Sequence, residues 1–415
     1  MDALRGVAVL GIFWINIVLF ALPDAAVVNP VAVGGEGLLN YGLWTFGAIF
    51  VEGTMRGLFS IMFGASMVLF IVHAEQAADP RAGALYYRRT VWLILFGLIH
   101  LYVLLMPDDI LLVYGIAGLF LFPFRKLAAR TLMSVSAVIL IGVTVLSGIE
   151  GYSQAELKHD AADARSRAAA GEILGPADNL AIKEWRKVQS ETWPGHDLVA
   201  EEIEARLSPV RVLFEQNADA VNEFLQSEDV IYWLTDVWTM MFLGMALLKW
   251  RVLTGERSRR FYAGLMAAGY AIGLPLKIRE AWVLWQSDFE PADWVSFVPD
   301  ETARIALTLG HIGLFFTIWH SGALGWLMRR LEAVGRMALT NYIGQTVIAN
   351  LIFSGVGFAL FGKLERVYVH SIMAGIWIAQ IWFSMWWLAR FRFGPLEWLW
   401  RSLTYMKIQK LRIAG

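Results

Sequence analysis

The chain has 415 residues, of which 57% are hydrophobic and 17% charged, where soluble globular domains carry about 45–50% and about 25%. Its formal net charge is −1 and it contains no cysteine. Disulfides, thiolate metal sites and a cysteine nucleophile are therefore excluded, and no nucleic-acid partner is expected. The balance points to lipid, and 19 Trp and 25 Phe agree, because Trp favours bilayer boundaries.

A bilayer core of about 30 Å takes about 20 apolar residues of helix. In chain order such runs lie at 4–21, 53–74, 90–106, 109–123 (the shortest), 131–149, 230–248, 261–285, 303–322, 337–361 and 368–390. Residues 40–52 add an apolar stretch, either interfacial or an extension of the second span. The first run lacks a small-residue cleavage site and leads into further spans, so it reads as a span and not a signal peptide. The abrupt start at Met1-Asp2-Ala3-Leu4-Arg5-Gly6 points to a natural N-terminus a few residues longer. The expected fold is all-α: a polytopic transmembrane bundle of about ten spans with a helical extracytoplasmic insert.

Charge sets the direction. Basic loops follow the even-numbered spans: Arg125, Lys126 and Arg130; then Lys249, Arg251, Arg257, Arg259 and Arg260; then Arg329, Arg330 and Arg336. The opposite loops are acidic, with Asp108-Asp109 and later Asp288, Glu290, Asp293, Asp300 and Glu301. Positive loops stay inside, so both termini are expected in the cytoplasm of a multi-pass inner-membrane protein.

Residues 150–229 hold 17 acidic and 8 basic residues and fall on the outer side. Their pattern predicts short amphipathic helices at 155–170, 182–188 and 198–225, punctuated by Pro176, Pro194 and Pro209. This insert reads as a cap that binds an acceptor or a second copy of the chain, or else as a solvated spacer. It divides a five-span unit at 1–149 from another at 230–390, and 391–415 forms an amphipathic cytoplasmic tail.

Charges inside spans cost a few kcal/mol each, so each is a functional candidate. The first span carries Arg5 and Asn16. Glu52 and Arg56, four apart, are spaced to pair on one helix face. The third span opens with Arg88-Arg89 and carries His100, about 16 Å further along the helix. His311 and His320 lie in the eighth span, and Asn341 and Gln345 share a face of the ninth. Each has a structural alternative: boundary arginines snorkel, Glu52–Arg56 is a buried pair, and a histidine bonds a backbone carbonyl. His320, near the boundary, reads as structural. No zinc-ligand spacing or phosphate-binding glycine loop is present in the sequence.

Four segments carry a resemblance: Asp2-Ala3-Leu4-Arg5-Gly6; Gly57-Leu58-Phe59-Ser60-Ile61-Met62-Phe63-Gly64; Gly335-Arg336-Met337-Ala338-Leu339-Thr340-Asn341-Tyr342; and Gly394-Pro395-Leu396-Glu397-Trp398-Leu399-Trp400-Arg401. They look like the YeiB-like bacterial membrane proteins that contain the domain of unknown function 418. Through that family the chain also resembles the transmembrane acyltransferases, which include heparan glucosaminide N-acetyltransferase and polysaccharide O-acetylases. Arg89 to His100 matches the O-acetylases' Arg-x10-His spacing, while the heparan enzyme's histidine after the first span has no counterpart here.

The resemblance implies acyl transfer from cytoplasmic acyl-CoA (a co-substrate, with no covalently bound cofactor and no metal) to an external hydroxyl or amine on a small molecule, lipid or glycan. The donor's phosphates would meet Arg5, Arg88 and Arg89. His100 would act as general base, Asp109 would orient it or bind the acceptor, and Asn341 and Gln345 would donate to the oxyanion. Asn16, Glu52, Arg56 and His311 remain substrate-binding or structural polar groups. The rival reading is a transporter or lipid-handling protein without covalent chemistry, for which Pro275 marks one expected helix break. A third is a membrane scaffold.

Overall fold

The computed structural model describes residues 1–33, 35–76, 80–106, 108–227, 229–289 and 300–413. Glu290 and Asp293 of the expected acidic loop lie outside the described residues. Among these residues the chain is helical, with no β-strand beyond one isolated bridge between Phe391 and Arg412. The all-α bundle expected from composition is what forms.

The first half comprises α1 (Asp2–Ala21), the short α2 (Ala25–Val28), α3 (Leu38–Phe50), α4 (Thr54–Gln76), α5 (Ala82–Tyr102), α6 (Ile110–Leu121) and α7 (Ala129–Ala169). The insert adds α8 (Pro176–Thr192), α9 (His196–Leu207) and α10 (Val210–Gln226). The second half holds α11 (Asp229–Lys249), α12 (Arg259–Gln286), α13 (Asp300–Ser321), α14 (Gly325–Arg336), α15 (Ala338–Phe353), α16 (Arg366–Leu388) and α17 (Pro395–Tyr405).

Each of the ten expected spans falls on a helix. Among the described residues, however, seven segments are both long and apolar enough to cross a bilayer: 2–21, 38–73, 129–169, 229–249, 259–286, 300–321 and 366–388. α6 and α15 have 12 and 16 residues and rise only about 18 and 24 Å. The stretch 40–52 is mostly the separate helix α3, joined to α4 by a turn at 51–53. α12 runs unbroken through Pro275, so the expected break is absent. The basic loops gather at one end, where Lys249 Nζ donates to the carbonyls of Arg125 (2.8 Å) and Leu127 (2.7 Å).

The insert is helical. Residues 155–170 do not form a helix of their own: they continue α7, because nothing between Ala129 and Ala169 breaks it and alanine-rich sequence propagates well. Pro176 occupies the first turn of α8, Pro194 sits between α8 and α9, and Pro209 is the N-cap of α10. That last proline splits the expected 198–225 helix in two. The insert docks on the end of the bundle opposite the basic loops. Glu202 accepts from the Asp24 amide (3.0 Å), Asn217 donates to the Leu101 carbonyl (2.9 Å), and Gly355 N–H donates to the Arg206 carbonyl (3.0 Å).

Candidate functional site

Two glycines explain why the N-terminus meets the C-terminal half. A Cβ on Gly6 would lie 2.0 Å from the Leu331 carbonyl oxygen, and one on Gly335 would lie 1.9 Å from that of Asp2. α1 and α14 therefore touch backbone to backbone. This crossing sets Arg5 and Arg336 on the wall of a single cavity of about 660 Å³, within the range of about 300–1,000 Å³ usual for small-molecule sites.

Along α4 the cavity extends from His73 to Phe59, a rise of about 21 Å, or two-thirds of a bilayer core. Phe59, Phe63, Met67 and Phe70 form an apolar wall, and Arg5, Arg89, Arg336 and Arg401 line the basic mouth. Arg5 is pinned by Asp2 and Ser66, both at 2.8 Å. Arg89 lies over Trp400 at 4.1 Å and faces Phe70 at 5.3 Å. No acid among the described residues pairs with it, so its N–H groups are unspent. Glu397, also on the wall, accepts from the Thr340 amide (3.0 Å) and hydroxyl (2.6 Å), tying α17 to α15. Arg88 turns away and donates to the Thr404 carbonyl at 3.1 Å; it holds α17 in place rather than lining the cavity. All four segments that carry the family resemblance contribute to this wall.

The deep end is closed by Tyr114, Leu111 and Tyr342. Behind Tyr342 lies a second element. Asp109 is the N-cap of α6, its Oδ2 accepting from the Leu112 amide at 2.9 Å. Gly97 and Gly115 let α5 and α6 pack closely as a hairpin, and this places Asp109 Oδ1 2.7 Å from His100 Nδ1. A carboxylate can only accept, so His100 carries its proton on Nδ1. With a single ring proton, the Nε2 lone pair then faces Thr346 Oγ1 at 2.8 Å. Exposure is 0% at His100, 3% at Asp109 and 2% at Thr346. Tyr342 links the two elements: its hydroxyl is 3.4 Å from Asp109 Oδ1, and its ring stands edge-on to His100 at 5.1 Å.

The remaining expected residues lie elsewhere. Asn341 donates to the Val334 carbonyl and the Ser384 hydroxyl, and Gln345 donates to Gln380 at 3.0 Å. Their donors are spent tying α15 to its neighbours. His311 bridges the Tyr270 hydroxyl and the Phe50 carbonyl, both at 2.9 Å, and His320 meets the Gly255 carbonyl. Asn16 is half-buried and outside the cavity. Glu52 and Arg56 do not pair: Glu52 precedes α4 in a turn, while Arg56 Nη2 reaches Asp236 at 3.4 Å. Sequence reading missed that partner and its neighbours. Arg304 meets both Asp236 and Glu301, and Lys277 meets Glu280 (2.9 Å) and Asp300 (2.5 Å). It also missed Thr346 and Arg401, although charges within spans were a signal for Asp236, Lys277 and Arg304.

Helical bundle, lipid-facing spans and a deep cavity define an all-α integral membrane protein with a large internal site. The chain belongs to the YeiB-like DUF418 family. It is 31% identical to uncharacterized protein YeiB of Escherichia coli K12 over 424 residues, covering 100% of this chain and 96% of that protein. It is also 28% identical to uncharacterized protein YxaH of Bacillus subtilis 168, covering 99% and 95%. Residues 247–407 match the family described as protein of unknown function (DUF418). No solved structure matches the chain.

Proposed function

We propose that the protein is an acyltransferase of the inner membrane, with the basic end in the cytoplasm. The cavity takes acyl-CoA there and passes the acyl group to a hydroxyl or amine acceptor beyond the opposite face. The observation that carries this reading is the cavity itself: an arginine mouth opening into an aromatic shaft fits an anionic head followed by an extended, less polar arm. Arg5, Arg89, Arg336 and Arg401 hold the phosphates, and Tyr342 and the His100–Asp109 pair stand at the reacting end. Arg88 has no direct part in donor binding. The rival reading, transport or lipid handling, draws on the buried Arg56–Asp236–Arg304–Glu301 network, but the unbroken α12 removes its other support.

Thermal stability in detergent tests the assignment. Acetyl-CoA at a hundred times its dissociation constant stabilises a specific binder by about 2.7 kcal/mol. Wild type is expected to show that rise, and Arg89→Ala to lose most of it. No rise with acetyl-CoA or with longer acyl-CoAs sinks the reading.

A further inference from the structure

Among the described residues the cavity lining ends at Leu111, Tyr114 and Tyr342, short of the far face. His100, Asp109 and Thr346 lie between the cavity and that face, all but sealed, and α10 covers the end of α5 through the bond from Asn217 to the Leu101 carbonyl. In this arrangement a donor in the cavity and an acceptor beyond the insert are held apart, and a carrier in the partition would join them.

We propose that Thr346 is that carrier: its hydroxyl takes the acyl group as an ester and later surrenders it. The inference rests on the acyl-donor reading above. Three observations support it. The Asp109 carboxylate fixes the His100 proton on Nδ1, so Nε2 is turned, lone pair first, toward Thr346 Oγ1. This is the arrangement by which a carboxylate-oriented imidazole activates a hydroxyl nucleophile. Tyr342, on the cavity wall, and Thr346 are four residues apart on α15, hence on one face and about 6 Å apart along the axis. The Tyr342 hydroxyl is also only weakly bonded, since its hydrogen bonds to Asp109 and Ile110 measure 3.4 and 3.5 Å, at the weak limit for such bonds. Displacing its buried ring would connect the shaft to the Thr346 hydroxyl.

In the forward step the Thr346 O–H proton passes to His100 Nε2 and the oxygen attacks the thioester carbonyl. A carbon–oxygen bond forms, the carbon–sulfur bond breaks, and the leaving thiolate takes the proton from His100. The reverse sequence, with the acceptor in place of the thiol, discharges the ester on the far side. Burial keeps bulk water from hydrolysing the ester in between.

The experiment uses the full-length protein in detergent with acetyl-CoA and no acceptor, quenched in acid and read by peptide mass spectrometry. Thermal stabilisation is measured on the same samples. The peptide containing Thr346 is expected to gain one acetyl group in wild type and in Thr346→Ser. Thr346→Ala should be stabilised by acetyl-CoA yet remain unlabelled, and His100→Ala should label about 100-fold more slowly or worse. Wild type that is stabilised but unlabelled at Thr346 overturns the carrier and leaves the donor site standing. Label retained at another residue in Thr346→Ala overturns it equally. Failure of both readouts with every acyl-CoA removes the donor reading and this inference with it.

Discussion

Arg304 and Asp236 are 2% and 3% exposed, and with Glu301 and Arg56 they form a chain of charges between α4, α11 and α13. Such a pair adds little net stability over an apolar replacement, but breaking it strands a charge away from water. Asp236→Ala is expected to lower the unfolding free energy by about 3–5 kcal/mol, read as a fall in the midpoint of thermal or denaturant unfolding; a neutral result would mean that water reaches Arg304. At this scale sequence and structure part in an instructive way. Arg89 and His100 are visible in sequence because one helix joins them. Asp109 is half-visible: an acid before an apolar run reads as a helix cap, but its reach to His100 depends on how the α5–α6 turn reverses. Thr346 is invisible, since its partner lies 246 positions away and an ordinary threonine in an apolar run carries no local mark. Glu52 misleads for a related reason. Four-residue spacing pairs side chains only within a helix, and α4 begins after it.

The elements were easier to read than their contacts. Apolar length locates the helices, but the crossings depend on backbone approach at single glycines. Gly335→Ala forces a Cβ onto the Asp2 carbonyl. The expected cost is about 1–3 kcal/mol, together with a weakened acyl-CoA stabilisation, because α1 and α14 would move apart and carry Arg5 and Arg336 with them. Gly375→Ala, where a Cβ meets nothing within 4 Å, is the control. Equal loss of stability in the two variants would show that crossing closeness is not the cause. Length explains two of the three expected spans that do not qualify, α6 and α15; the third, α5, has 21 residues but carries Arg88, Arg89 and His100. α6 is buried along most of its length, whereas α15 keeps Val347 and Leu351 exposed. A hydropathy window cannot separate a short buried helix from a short span.

At the scale of the whole molecule, the alternation of basic and acidic loops matches the placement of the basic residues at one end and the insert at the other. The insert's grip was not legible, because it rests on individual polar bonds to distant loops. One of them is sensitive to pH. Burial, and then the nearby Asp24, push the Glu202 carboxyl up to about 7 from an ordinary value of 4.5. A raised carboxyl favours the protonated folded state. Its contribution is therefore present below about pH 4.5 and lost as pH rises through about 7. Unfolding midpoints at pH 5.5 and pH 8 are expected to fall further for wild type than for Glu202→Gln; identical falls would remove Glu202 from the grip.

α7 has a mechanical consequence. Its 41 residues make a rod of roughly 60 Å, of which about half stands beyond the apolar stretch. Val138, Ile141, Val145 and Leu146 are exposed on its lipid-facing side, and no interruption separates that part from the part that reaches the insert. A thicker or thinner bilayer changes the tilt of such a span, and a rigid rod cannot tilt at one end alone. A change of 10° swings the far end by roughly 5 Å, more than the length of any hydrogen bond holding the insert down. A bilayer that changed the tilt of α7 would thereby shift the seating of the cap.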